Sequence, residues 1–137
     1  MEKKMTTDVN VGSNENNKKT ILVIEDNELN MKLVRNLLKL KNFKVIESED
    51  AEQGMEMAET YKPDLILMDI NLPGIDGLTA TKKIKENEAL KHIPIVALTS
   101  YAMQGDEEKS INAGCAGYIS KPIDTKTFVE TLSQHLH

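Results

Sequence analysis

Residues 64–74 contain the clearest candidate for chemistry in this chain, because an apolar run ends there in a carboxylate. The run from Leu65 to Met68 is typical of a strand buried on both faces, and Asp69 with the Pro-Gly turn beyond it marks its end. At the carboxyl end of a strand in an open parallel sheet, Asp69 would border the crevice where such sheets bind ligands. An aspartate there serves as a helix N-cap, a metal ligand or a nucleophile, and this stretch alone leaves all three roles open.

Polar side chains also follow other apolar runs of the sequence. They are Glu25 and Asp26, then Thr99 and Ser100, and finally Lys121. If the runs are neighbouring parallel strands, their carboxyl ends lie at the same edge of the sheet. We therefore expect these side chains and Asp69 to converge on one crevice.

Short apolar runs alternate with stretches of helical periodicity along the chain. The predicted strands cover about residues 20–24, 43–46, 65–68, 95–98 and 117–120. Helices are expected between them, the fourth over about residues 104–113, and a fifth follows the last strand. Strands separated by helices imply right-handed crossovers and a parallel sheet covered on both sides. The predicted fold is α/β, a doubly wound five-stranded parallel sheet of order 2-1-3-4-5 with five helices, as in flavodoxin.

Apolar positions three to four residues apart predict one buried face on the first helix. This stripe comprises Leu29, Leu33, Val34, Leu37, Leu38 and Leu40. Asp26 or Asn27 is the expected N-cap of that helix, because short polar side chains accept hydrogen bonds from its first turn. Asp50 is expected to cap the second helix, and Asp124 the last.

Composition restricts the function classes. The 137 residues fit one domain, with residues 1–19 as a disordered polar tail and residues 20–137 as the folded part. The net charge of -5 gives no reason to expect binding to nucleic acid or to a membrane surface. The single cysteine, Cys115, excludes an internal disulfide and favours a reducing compartment. No apolar run approaches the roughly 20 residues of a membrane span, so a cytoplasmic protein is expected.

The expected crevice would hold Glu25, Asp26 and Asp69 close together. Carboxylates that share a site repel one another unless a cation compensates, and Mg²⁺ binds to such oxygen ligands together with phosphate oxygens. Asp69 is placed to attack phosphorus, since carboxylates are nucleophiles in aspartyl-phosphate formation. The Thr99 hydroxyl and the Lys121 amine would then hold the remaining phosphoryl oxygens.

A phosphoryl group on Asp69 would also predict a conformational switch. The Thr99 hydroxyl reaches the added acceptor oxygens only if its loop moves, and this motion vacates space beside the fourth strand. Tyr118 on the fifth strand is the expected occupant of that space. The sequence leaves open whether the Lys121–Pro122 bond is cis or trans.

These motifs together resemble the receiver domain of bacterial response regulators. The resemblance covers about residues 20–136 and includes Pro73 and Gly77 beyond Asp69, and Tyr118 three residues before Lys121. Residues 92–115 are especially similar to stand-alone receivers of the cell-polarity type and to receivers attached to hybrid histidine kinases.

The resemblance implies a phosphoacceptor site at Asp69, fed by a phosphohistidine on a histidine kinase or a histidine phosphotransfer protein. It also implies that Asp26, Asp69 and the backbone carbonyl of Asn71 bind Mg²⁺, with Glu25 acting through water. No enzymatic activity is implied beyond the chain's own phosphorylation and dephosphorylation.

The resemblance further implies a switch and an output surface. Thr99 and Lys121 would contact the phosphoryl group, and Tyr118 would be the switch aromatic. A downstream effector protein would bind to the surface formed by helix 4, strand 5 and helix 5.

Other interpretations remain open or are disfavoured. The chain is either a single-domain response regulator or a receiver excised from a hybrid histidine kinase. An aspartate-based phosphatase of the haloacid dehalogenase type needs a second aspartate two residues after the nucleophile, and Asn71 cannot donate a proton in its place. A flavin or nucleotide module needs a glycine-rich or hydroxyl-rich loop after the first strand, where residues 25–28 are mostly acidic.

Overall fold

The computed structural model describes residues 18–72, 74–99 and 106–136, with the side chain of Asp106 excepted. In these residues, five strands form one parallel sheet of order β2-β1-β3-β4-β5. The strands are β1 (Thr20–Ile24), β2 (Lys44–Ser48), β3 (Leu65–Asp69), β4 (Ile95–Thr99) and β5 (Gly117–Ser120). The helices are α1 (Glu28–Leu40), α2 (Ala51–Tyr61), α3 (Gly77–Glu86), α4 (Asp106–Ala113) and α5 (Phe128–Ser133). The predicted fold is confirmed. Residues 1–17 of the tail predicted for residues 1–19 lie outside the described residues.

The sheet separates two apolar layers. On one side α2 and α3 pack over alternate residues of the strands, including Leu22, Ile66 and Ala97. On the other side α1 and α5 pack over the remaining residues, including Val23 and Leu67. All residues of β3 and β4 are buried, which explains their continuous apolar runs. None of the helices in the described residues is long and apolar enough to cross a membrane.

Side-chain caps fix where the first helices begin. The Asn27 side chain accepts a hydrogen bond from the Asn30 N–H at 2.9 Å, so Asn27 is the cap of α1. The Asp50 side chain accepts from the Gln53 N–H at 2.8 Å and caps α2 as predicted. Each cap satisfies a backbone N–H that has no partner within its helix. The α1 cap therefore starts this helix directly after the polar end of β1.

The last helix begins later than predicted. The Asp124 side chain accepts from the Lys126 N–H at 2.9 Å and stabilises a turn, and α5 begins only at Phe128 without a side-chain cap. The prediction that Asp124 caps the last helix is therefore wrong. The described part of α4 begins at Asp106, and residues 104 and 105, where this helix was predicted to begin, lie outside the described residues.

The buried face of α1 is not the predicted leucine stripe. Met31, Val34 and Leu38 are buried, whereas Leu29 is 79% exposed and Leu40 78% exposed. At roughly 100° per residue, positions 29, 33 and 40 lie on the side of the helix opposite positions 31, 34 and 38. The sequence contains two apolar faces on this helix, and the prediction combined them into one.

We expect Leu38→Ala to lower the free energy of unfolding by about 2–5 kcal/mol, because it leaves a cavity under α1. Leu40→Ala is the matched control on the same helix, and we expect it to change stability by less than about 0.5 kcal/mol. Urea unfolding followed by circular dichroism measures both. Equal losses of stability would contradict the assignment of the buried face.

Candidate functional site

The carboxyl ends of β1 and β3 bring acidic side chains together. Glu25 directly follows β1 and Asp69 is the last residue of β3, and both are buried, with 1% and 2% exposure. Asp26 follows Glu25 and is exposed. One carboxylate oxygen from each of these residues lies within 4.8 Å of the others. The structure therefore assembles the acidic cluster that the sequence predicted.

Backbone hydrogen bonds hold the neighbouring strand ends in place. The Ile70 N–H donates to the Leu98 carbonyl at 3.1 Å, which links the residue after Asp69 to β4. The Lys121 N–H donates to the Thr99 carbonyl at 2.7 Å, which links the end of β5 to the end of β4. Asp69, Thr99 and Lys121 are thus positioned by the ends of one continuous hydrogen-bonded sheet.

Lys121 forms ion pairs with two of the acids. Its Nζ lies 3.2 Å from Asp69 Oδ2 and 3.1 Å from Glu25 Oε1. Burial alone would lower the pKa of Lys121, but the negative charges of Asp69 and Glu25 outweigh it and raise the pKa. The amine therefore stays protonated beside the acids. The Lys121–Pro122 peptide bond is cis.

The surroundings of Glu25 disfavour its charged form. Burial raises the pKa of Glu25 to about 7, even though Glu25 Oε2 accepts a hydrogen bond from the Asn27 N–H at 3.0 Å, and the charge of Asp69 raises it as well. Among the described residues Glu25 Oε1 has no hydrogen-bond partner, because Lys121 is at ion-pair distance but not in hydrogen-bond geometry. One amine does not fully compensate the buried negative charge.

The donor set fits a hard divalent cation. When ionised, the acids Glu25, Asp26 and Asp69 carry three negative charges against the single positive charge of Lys121. Their oxygens are the ligand type that Mg²⁺ prefers, and the buried Glu25 Oε1 has unused acceptor capacity. The Asn71 N–H donates to Asp69 Oδ1 at 2.9 Å and so helps orient that carboxylate. The predicted ligand role of the Asn71 carbonyl stays a prediction.

Thr99 and Tyr118 lie on the same face of the sheet. Thr99 is the buried last residue of β4 and is in register with Ser120, and Tyr118 is in register with Ala97. Because side chains alternate along a strand, Ala97, Thr99 and Tyr118 face the same layer. The structure brings together the two residues predicted to act as a switch, although their roles stay predictions.

Gly77 brings the start of α3 into contact with the backbone of the candidate nucleophile. A Cβ atom at Gly77 would lie 2.6 Å from Ile70 Cα and would also overlap the Asp69 carbonyl oxygen. Only glycine permits this approach without a backbone shift. The sequence suggested Gly77 through its motif position, but it gave no reason for the glycine.

Two contacts near the site were missed by sequence reasoning. The Asn27 N–H bonds the Glu25 carboxylate, whereas the sequence indicated only a capping role for Asn27. Glu107 on α4 interacts with the Tyr118 phenol and raises its pKa, and nothing in the sequence distinguishes Glu107 from the acid beside it. Pro73 and Ser100 lie outside the described residues.

The fold and the site together define a receiver-type α/β domain, in which a buried aspartate at the end of the central strand lies between an acid pair and a lysine. The family model for the response regulator receiver domain matches residues 21–133. The chain belongs to the response regulator receiver domain family.

Two similar response regulators support this family assignment. The polar-differentiation response regulators DivK of Brucella anthropi and Brucella ovis are 45% and 46% identical to this chain over 118 residues, which cover 86% of this chain and 96% of theirs. Phosphorylation and Mg²⁺ binding are typical of the family.

Solved structures agree as well. The receiver domain of the sensor histidine kinase PA1611 from Pseudomonas aeruginosa has a magnesium ion coordinated in its active site cleft. It is 35% identical, with a TM-score of 0.80, and the match covers 86% of this chain and 97% of that one. The chemotaxis protein CheY4 of Vibrio cholerae, at 23% identity, a TM-score of 0.82 and coverage of 87% and 99%, shows the fold alone.

We expect Gly77→Ala to weaken divalent cation binding and to lower stability by about 1–3 kcal/mol, because the added methyl group displaces the backbone of Asp69 or α3. Gly74→Ala is the control. Its φ of +76° makes it strained too, at a cost of about 1–2 kcal/mol, but its Cβ meets nothing within 4 Å. Calorimetric titration with Mg²⁺ separates the two, and cation affinities that fall equally would contradict the steric role of Gly77.

Proposed function

We propose that this protein is a single-domain response regulator that accepts a phosphoryl group on Asp69 from a phosphohistidine in a two-component phosphorelay. The donor is a histidine kinase or a histidine phosphotransfer protein. The observation that supports this function best is the acidic cluster at the end of β3, with Lys121 Nζ within 3.2 Å of the Asp69 carboxylate. Neither an N-cap nor a structural ion pair requires three acids and a lysine in one place.

The transfer is a substitution at phosphorus. A carboxylate oxygen of Asp69 forms a bond to phosphorus while the bond between phosphorus and the donor histidine nitrogen breaks. The electron pair of that bond stays on the imidazole, which gains a proton from water. Thr99 ends β4, the strand next to Asp69, and Lys121 follows β5 with its Nζ 3.2 Å from the Asp69 carboxylate, so their hydroxyl and amine would hold phosphoryl oxygens.

A divalent cation completes the charge balance in this proposal. Glu25, Asp26 and Asp69 would hold Mg²⁺ with the backbone carbonyl of Asn71, Glu25 acting through water. When bound, the ion neutralises charge shared by the carboxylates and the incoming phosphoryl oxygens. The burial of Glu25 and its pKa of about 7 support the view that the cluster needs additional positive charge.

The activity ends with the chain's own phosphorylation and dephosphorylation. An aspartate-based phosphatase is disfavoured because Asn71, two residues after Asp69, has no proton to donate. A receiver that belongs to a hybrid histidine kinase is the second candidate. The higher identity to DivK, 45–46% against 35% for the sensor-kinase receiver, favours the single-domain protein. We place it in the cytoplasm, where a kinase would feed it.

The output surface in this proposal is formed by α4, β5 and α5. A groove of about 410 Å³ lies between β5 and α5, lined by Tyr118, Ser120, Thr127 and Phe128 among others. Movement of Tyr118 on phosphorylation would change the shape of this groove. An effector protein would therefore distinguish the two states by population shift.

Incubation with acetyl phosphate and Mg²⁺ should add one phosphoryl group to the protein, and intact-mass spectrometry measures it. We expect no adduct on Asp69→Asn or when the metal is chelated, because each removes a required group. Asp26→Asn, in the same cluster, should lower adduct yield at limiting Mg²⁺ and recover at high Mg²⁺. An adduct on Asp69→Asn would place the phosphoacceptor elsewhere and contradict the proposal.

The exposed face of α1 would dock the helical surface of the phosphohistidine donor. Leu29 is 79% exposed and lies three residues after Asp26 of the acidic cluster, and Leu33 is 36% exposed one turn further along. A donor imidazole must approach Asp69 past the start of α1, so the exposed leucines there are placed to orient the donor. Leu40 is equally exposed but lies at the far end of the same helix.

Leu29→Ala should slow transfer from a phosphorylated histidine phosphotransfer protein about tenfold or more, as expected for loss of an interface anchor. It should leave phosphorylation by acetyl phosphate unchanged, because that donor needs no docking surface. Leu40→Ala should change neither rate. A Leu29→Ala variant that is slow with both donors would indicate damage to the site, and one that is slow with neither would remove α1 from the docking surface.

A further inference from the structure

The amino edge of the sheet, at the other end of the strands from the acidic cluster, carries a group of exposed lysines. Because the strands are parallel, the segments that lead into β1, β2 and β3 lie at this same edge. We call the lysines there the basic rim, and all of them are exposed: Lys19 before β1, Lys39 and Lys41 at the end of α1, Lys44 at the start of β2, and Lys62 after α2.

Backbone hydrogen bonds hold the basic rim together. The Lys44 N–H donates to the Lys19 carbonyl at 2.9 Å, which joins the entries to β2 and β1. The Asp64 N–H donates to the Thr20 carbonyl at 2.8 Å, which joins the entry to β3. The Lys41 N–H donates back into the last turn of α1. The fold therefore fixes the spacing of the lysine backbones.

The lysines of the basic rim are not neutralised by nearby acids. Glu59 and Asp64 flank Lys62 in the chain, but the Asp64 carboxylate accepts a hydrogen bond from the Thr20 N–H at 2.7 Å. Among the residues that the structure describes, none of the rim lysines forms an ion pair. Their ammonium groups can therefore bind to an external anionic surface.

The two edges of the sheet carry charge of opposite sign. Acids predominate at the carboxyl edge, where β1 and β2 end, and they include Glu25, Asp26, Glu28, Glu49 and Asp50. The net charge of -5 is a sum over both edges. It therefore does not describe the amino edge, whose local charge is positive.

Exposed apolar side chains lie within the basic rim. Leu40 is 78% exposed and lies between Lys39 and Lys41, and Tyr61 is 57% exposed and precedes Lys62. Lysines beside exposed leucine and tyrosine are typical of surfaces that bind to anionic lipid. The rim contains no arginine, the residue whose planar fork suits the recognition of nucleic acids, so its composition favours lipid.

We propose that the basic rim binds reversibly to the surface of an anionic phospholipid membrane, with Leu40 and Tyr61 at the level of the headgroups. The ammonium groups attract the lipid phosphates, and the two apolar side chains lose contact with water. The acidic edge then faces away from the lipid, which leaves Asp69 accessible. The binding needs no phosphoryl group on Asp69 and does not depend on the proposed function.

Sedimentation of the full-length protein with vesicles tests the proposal. Vesicles of phosphatidylglycerol are anionic, and vesicles of phosphatidylcholine, which carry no net charge, are the lipid control. We expect the protein to sediment with the anionic vesicles at low salt and to be released at high salt, because screening weakens the attraction. A protein that stays in the supernatant at low salt, or that binds to both lipids equally, would overturn the proposal.

Two double variants with the same change of net charge locate the binding surface. Lys39→Gln combined with Lys41→Gln should weaken binding to phosphatidylglycerol vesicles about tenfold or more. Lys82→Gln combined with Lys83→Gln removes two exposed charges of α3, outside the rim, and should weaken it less than about twofold. Equal losses in the two variants would overturn the role of the rim. Circular dichroism verifies that both variants are folded.

Leu40→Ser tests the apolar part of the contact, because it leaves every charge in place. We expect it to weaken vesicle binding about threefold or more. An unchanged affinity would overturn the placement of Leu40 at the headgroups. Duplex DNA is the competing anionic probe. If the protein bound to duplex DNA but not to the vesicles, and lost this binding in the Lys39 and Lys41 double variant, the lipid assignment would be overturned in favour of nucleic acid.

Discussion

The rest of this structure must offset the free-energy cost of two buried carboxylates that share one amine. Glu25 and Asp69 are almost completely buried, and Lys121 is within 3.2 Å of both. Removing two acids from water for one cation costs free energy, and the raised pKa of Glu25 records that cost. A cluster of this kind has no advantage for folding. It is most simply explained as a site whose charge is completed by ligands.

The parallel sheet is what makes the cluster possible. Each acid or amine lies on or just after the last residue of a strand, and the ladders between β1, β3, β4 and β5 hold those ends at one edge. The buried apolar residues of β3 and β4 supply the burial that stabilises this arrangement. Gly77 lets α3 press against the backbone at Asp69 from the outside. The apolar core therefore offsets the free-energy cost of the buried charges, and these charges lie at one edge of the sheet.

The strands and the acidic cluster were predictable because they depend on local patterns. Apolar runs that end in Glu25, Asp69 and Lys121 indicate both a buried strand and its exit point, and the alternation of elements restricts the topology. The inward face of α1 was not predictable in the same way, since its leucines and the set around Val34 both have helical spacing. The effect of Glu107 on the pKa of Tyr118 could not be predicted, because tertiary packing decides which residues of α4 lie near β5 and adjacent glutamates look alike in a sequence.

The two apolar faces of α1 leave apolar surface close to the acidic cluster. Leu29 is 79% exposed and lies three residues after Asp26, whereas Met31, Val34 and Leu38 on the opposite face are buried. Exposed apolar surface beside a charged crevice is costly unless something covers it. The buried strands β3 and β4 stabilise the domain, whereas the exposed leucines of α1 add little to that stability.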